Sequence, residues 1–239
     1  MDIQAKGLDY RALNEAIRAA GPSCRITGCL GQRFIGAGMS GRRVEIGGIP
    51  GNALGAYLGG GSITVNGNAQ DAVGDTMNGG SIVVRGSVGD TAGYAMRGGE
   101  IYVQGNAGYR AGSQMKAYQD QQPVIVIGGR AGSFLGEYQA GGTILVLGLH
   151  TDGKPAAGYF PCTGQHGGRG IFRGGGSPIR LPDQVTPPPP TEEEDALLRP
   201  LVERWCALFG GDAEALMDGP FTVVTPDSKN PYRQMYAAN

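Results

Sequence analysis

A chain of 239 residues with 45 glycines, a formal net charge of -1 and only 17% charged residues carries no electrostatic footprint for nucleic acid or for an anionic membrane surface. No apolar run approaches the roughly 20 residues that span a bilayer, and the N-terminal segment lacks the apolar core of a secretion signal. Four cysteines, Cys24, Cys29, Cys162 and Cys206, are scattered without CxxC spacing, which fits a reduced, cytoplasmic setting in which each is a structural thiol.

The first predicted element, within an N-terminal cap over residues 1–22, is a helix in "DYRALNEAIRAA". Asp9 is its N-cap, Leu13, Ala16 and Ile17 share one face, and Gly21 stops it. From residue 23 to 180 the sequence repeats with a period of 19. Gly36, Gly55, Gly74, Gly93 and Gly112 share one phase; after an insertion around Tyr118 to Gln122 the phase resumes at Gly136, and after another around His150 to Pro155 at Gly158. Each repeat holds a short strand of period two, with inward pairs Val44/Ile46, Ile63/Val65, Ile82/Val84, Ile101/Val103, Ile125/Ile127 and Ile144/Val146. Leu54, Val73, Ala92, Ala111 and Leu135 precede the marker glycine, and Met39, Leu58, Met77, Met96 and Met115 follow it.

Three apolar registers with glycine at the corners predict an all-β fold, a single-stranded parallel β-helix of about seven coils with helical appendages at both ends. The corner assignment rests on glycine's freedom at φ > 0. Leucine-rich repeats would need LxxLxL spacing, and calcium β-rolls an aspartate in every unit, whereas the turn position that holds Asp71 and Asp90 holds Asn52 and Tyr109 in the neighbouring coils.

Residues 181–190 then form a proline-rich linker ending in "PPPP", and residues 191–239 a helix and extended tail. Thr191 and Glu194 make a capping box, Leu197, Leu198, Leu201, Trp205, Leu208 and Phe209 an apolar face, and Pro200 a kink. The outward column of the strands reads Glu45, Thr64, Val83, Tyr102, Val126, Leu145 and Ile171. From Val83 onward it is apolar, which marks a covered surface. Val83, Tyr102, Val126, Leu145 and Trp205 are therefore candidate interface residues, with the cover either the chain's own C-terminal helix or a partner subunit.

Residues that would carry chemistry are missing. Gly36-Ala37-Gly38-Met39-Ser40-Gly41 satisfies GxGxxG, but its glycines belong to the 19-residue repeat and no strand-turn-helix surrounds them. No serine sits in a GxSxG elbow, and His150 and His166 stand apart in loops without the neighbours of a triad or metal site. No catalytic, cofactor-binding or metal residue is assigned.

The phrases "GQRFIGAGMSG", "GNAQDAVGDTMNGGSIVVRG", "GDTAGYAMRGGEIYVQGNAGYRAG", "PVIVIGGRAGSFLGEYQAGGTILVLGL" and "NPYRQMY" resemble the GXGXG domain, the third domain of the large subunit of glutamate synthase, above all its stand-alone form. More distantly the chain is similar to the β-helix subunit of formylmethanofuran dehydrogenase. The resemblance implies a right-handed β-helix without catalytic residues of its own. It also implies glutamine amidotransferase and flavin/iron-sulfur synthase partners, which carry the FMN and iron-sulfur clusters. The last coil departs from the pattern: Cys162, Gln165 and Gly170 stand where glycine, methionine and an aliphatic residue are expected, so a looser coil is predicted there.

Overall fold

A computed structural model describes residues 1–174, 185–186 and 191–226. The "PPPP" stretch and the "NPYRQMY" tail lie outside the described residues. The chain winds into a parallel β-helix of about eight turns. Its strands are β1 (Asp2–Gln4), β2 (Ser23–Leu30), β3 (Arg42–Ile49), β4 (Gly59–Asn66), β5 (Asn78–Val84), β6 (Gly98–Val103), β7 (Val124–Ile127), β8 (Ala140–Val146) and β9 (Gly167–Arg173), each parallel to the next. The in-register pairs Ile63↔Ile82, Ile82↔Ile101, Ile101↔Ile125 and Ile125↔Ile144 stack the inward isoleucines of successive coils.

The turn beyond the expected seven comes from β1, which pairs with β2 through Ile3↔Ile26. Helix α1 (Tyr10–Ala19) is thus an excursion within the first turn, between two wall strands, rather than a cap placed before the rod. Asp9 Oδ1 accepts from the Arg11 and Ala12 amides at its N-terminus, and Leu13 and Ile17 are buried. Asn14 locks the helix to the first corner: its Nδ2 donates to the Phe34 carbonyl and its Oδ1 accepts from the Gly36 amide.

Seven corners share one backbone pattern, with left-handed residues at three alternate positions, from Phe34/Gly36/Gly38 to Phe160/Cys162/Gly164. The flanking positions carry Ala, Thr, Arg, Gln, Phe and Tyr, so φ > 0 does not by itself explain the central glycine. Space does. A Cβ on Gly36, Gly55, Gly74, Gly93 or Gly112 would lie 2.3–2.9 Å from the Cδ1 of an inward isoleucine, Ile125 in the case of Gly93. Two corrections follow. The corner glycines are needed chiefly because they point into the core, and the last corner falls at Cys162 (φ 60) instead of Gly158.

At that last corner the isoleucine register holds Gly170, paired with Ile144. The Cys162 Sγ fills the room: a Cβ on Gly170 would lie 2.9 Å from it. The exchange of glycine for cysteine at the corner and aliphatic for glycine in the strand is compensated, and the coil remains packed. Its methionine register likewise becomes polar. Gln139 and Gln165 are fully buried; Gln165 Nε2 donates to Gln139 Oε1, whose own Nε2 donates to the carbonyls of Gly141 and Gly142.

Beyond β9 the chain reverses. After α2 (Glu192–Phe209) and the short α3 (Ala213–Met217), β11 (Phe221–Pro226) pairs antiparallel with β9, and β10 (Val185–Thr186) pairs antiparallel with β11. The open end of the parallel stack is thereby covered by β11, which runs opposite to it, with β10 outside β11.

Candidate functional site

The outward apolar column is the place where the sequence points to an interface. Glu45 and Thr64 are half-exposed; Val83 is 5% exposed, and Tyr102, Val126, Leu145 and Ile171 are fully buried. Tyr102, Val126, Leu145 and Ile171 are covered by the chain's own α2. Leu198, Val202 and Trp205 pack with Tyr102, Val126, Leu145, Leu147, Ile171 and Val223 in a second apolar core, separated from the rod's interior by the sheet wall. Val83, although buried, is not part of this second core, which begins in the outward column at Tyr102.

Thr191 accepts from the Glu194 amide while the Glu194 carboxylate accepts from the Thr191 amide, closing the capping box that starts α2. The helix runs on through Pro200; the i-4 carbonyl left without a donor belongs to Ala196, on the exposed side. Trp205 anchors it. The indole Nε1 donates to the Val103 carbonyl at 3.0 Å, and Gly128 leaves the room, since a Cβ there would lie 2.4 Å from the Trp205 ring.

Polar groups ring this contact. Arg204 Nε lies 3.2 Å from Glu100 Oε2, with the guanidinium over the Tyr102 ring, and Arg85 Nη1 donates to the Leu208 carbonyl. Arg173 Nε donates to the Leu216 carbonyl at 2.6 Å. Burial and the nearby Glu100 carboxylate raise the Tyr102 phenol pKa, opposed by Arg204. The interface residues are thus brought together as an intramolecular seam, and what a partner would meet here is the outer side of α2 and α3.

The remaining chemical groups are dispersed. His150 is exposed in a loop, and His166 is half-buried with Nδ1 3.1 Å from the Gly164 carbonyl. All four cysteines are free thiols. Burial pushes Cys29 up to about 11 and Cys162 up to about 12; Cys24 and Cys206 are also raised, first by burial. Thiols held protonated in this way are poor nucleophiles and poor metal ligands. Among the described residues there is no group of three or more His, Cys, Asp or Glu that could hold a metal ion, and no helix is long and apolar enough to cross a membrane. The GxGxxG segment at Gly36 leads into β3, not into a helix.

Turn-forming acids and amides are spent on the rod itself. Asp71 Oδ1 accepts from the Asp90 amide, Asp90 Oδ1 from the Tyr109 amide, Asn68 Oδ1 from Ser87 and Asn106 Oδ1 from Arg130, each one coil ahead. This ladder of side chain to backbone bonds is legible in the repeat only once the stacking is known.

The GXGXG motif family matches residues 11–219. The chain belongs to the GXGXG family. It is 40% identical over 248 residues to the uncharacterized protein MJ1350 of Methanocaldococcus jannaschii, covering 98% of this chain and 95% of that one. Among solved structures it is similar to a chain of the formyltransferase/hydrolase complex (FhcABCD) from Methylorubrum extorquens in complex with methylofuran. That match has a TM-score of 0.62 and 22% identity, over 94% of this chain and 89% of the other, and supports the β-helical fold of this GXGXG protein.

Proposed function

We propose that this GXGXG protein is a non-catalytic structural subunit of a glutamate synthase-like complex, bracing a glutamine amidotransferase subunit against a flavin/iron-sulfur synthase subunit. FMN and iron-sulfur clusters belong to those partners, and this chain carries none. The observation that supports the reading best is the destination of its polar groups. Turn carboxylates and amides are bonded to the backbone of the next coil, and the buried thiols are held protonated. What is left is a rigid rod with one helical flank, suited to holding other chains at fixed separation.

A second reading, a scaffold in a formylmethanofuran dehydrogenase-type complex, draws on the structural likeness to a chain of the FhcABCD complex. Affinity purification of the tagged chain from its native host, with identification of the stoichiometric partners, distinguishes the two. The first reading expects an amidotransferase-like and a flavin-containing chain. Recovery of formyltransferase or hydrolase chains instead would establish the second, and recovery of the chain alone under gentle conditions would remove both.

A further inference from the structure

The first 43 residues hold seven Lys or Arg (Lys6, Arg11, Arg18, Arg25, Arg33, Arg42, Arg43) and three acids (Asp2, Asp9, Glu15), a local excess of positive charge in a chain that is nearly neutral overall. Where α1 crosses the first corner, a cavity of about 230 Å³ is lined by Asn14, Arg18, Gly38, Met39, Ser40 and Arg42, among others, with no acidic residue in its wall. Neither Arg18 nor Arg42 is paired with a carboxylate among the described residues. Arg42 Nε is shut off from solvent and has no hydrogen-bond partner there; Arg42 Nη2 reaches the Arg18 carbonyl at 3.4 Å, which offsets the negative end of the helix. A solvent-excluded guanidinium N–H without an acceptor calls for one.

Asn14, Arg18 and Ala37 also line a second, larger groove of about 500 Å³. Its walls include Tyr10, Phe34 and Tyr57, which are 41%, 43% and 60% exposed. Glu15 and Asp75 border this outer groove, so its charge favours anions only at the inner end. Exposed aromatics beside a carboxylate-free arginine pair form an amphipathic site.

We propose that this composite groove binds a small organic anion, with a carboxylate or phosphate held by Arg18, Arg42 and the Ser40 hydroxyl, and an attached flat or apolar body resting on Phe34 and Tyr57. A guanidinium pair donates to either oxyanion through parallel N–H bonds, and the aromatic wall favours a ligand that is more than a bare ion.

Isothermal titration of the full chain with phenyl phosphate, benzoate and inorganic phosphate tests the site. Saturable binding of phenyl phosphate or benzoate is expected, weakened at least tenfold in Arg18→Ala, which changes an exposed side chain of α1, and weakened in Tyr57→Ala. The tighter of the two aromatic anions identifies the preferred head group, phosphate or carboxylate. Inorganic phosphate should bind more weakly than phenyl phosphate. Because Arg42 lies in a wall strand, Arg42→Gln is compared only after its melting temperature is shown to match the parent. The proposal is overturned if no aromatic anion binds saturably, or if Arg18→Ala and a folded Arg42→Gln both bind like the parent.

Discussion

At the scale of single residues, the repeat glycines divide into a conformational and a steric part. Gly93 sits at φ 69, but Thr91 and Ala95 beside it occupy similar angles. What sets Gly93 apart is the Ile125 Cδ1, 2.3 Å from the place of a Cβ. Gly93→Ala should therefore lower stability by about 1–3 kcal/mol through overpacking, and Ile125→Val, which removes that methyl, should recover part of the loss. Thr91→Gly, by contrast, should be close to neutral, because relief of left-handed strain offsets added freedom in the unfolded chain. Equilibrium denaturation of the three variants and the double mutant checks this. A Gly93→Ala protein as stable as the parent would show that the corner has slack. The same logic couples Cys162 to Gly170: Gly170→Ile should be less costly in a Cys162→Gly background than alone. Burial of the thiols also has a pH signature. With folded pKa values of about 11 and 12 for Cys29 and Cys162 against 9.0 when exposed, both thiols are protonated in both states at neutral pH and their contribution to stability is flat there. Above about pH 9 the unfolded chain releases these protons first, so stability should fall until the folded thiols ionise. Cys162→Ala should shallow that alkaline fall, as measured by denaturation at stepped pH.

At the scale of elements, α2 and the outward column depend on one another. Removing the indole in Trp205→Ala leaves a hole over Val103 and Gly128 and should cost about 3–5 kcal/mol. Val126→Lys would bury an unpaired ammonium under α2 and should both destabilise the isolated chain and shift its single tryptophan's emission to the red. Normal melting and unshifted emission in that variant would mean that α2 does not hold the strip in solution. Much of this architecture is legible in the residues alone. The 19-residue phase gives the coils, Thr191 and Glu194 the start of α2, and the apolar positions Tyr102, Val126 and Leu145 the surface it covers. Other elements are hidden for physical reasons. β1 is three residues long and takes its strand character from pairing with β2, not from its own pattern. β11 runs antiparallel and follows no repeat, and the Gln139–Gln165 pair sits in a register that methionine fills elsewhere.

At the scale of the whole molecule, nine parallel strands at about 4.8 Å spacing give a rod of roughly 38 Å, with a basic α1 end and an acidic helical flank. On that flank, Glu192, Glu193, Asp195, Glu203, Asp212, Glu214 and Asp218 outnumber Arg199 and Arg204. Such a separation of charge orients an approaching partner before contact, and the resulting association should weaken with added salt. The surface this flank leaves for a partner is the acidic outer side of α2 and α3, because the apolar column beneath is already filled. Its location is not legible in the sequence, where the column itself is the more conspicuous surface. Charge reversal at Glu203 and Asp218, both exposed and away from the helix N-termini, should therefore reduce recovery of partner chains while leaving the melting temperature of the isolated rod unchanged. The central claim is that the rod supplies architecture and no redox chemistry of its own. It is tested most directly by visible absorbance and iron analysis of the chain purified alone and of the complex recovered from the native host. A colourless, iron-free rod is expected, with flavin and iron in the other chains of a coloured complex; stoichiometric flavin or iron in the isolated rod would show that it carries a redox centre itself.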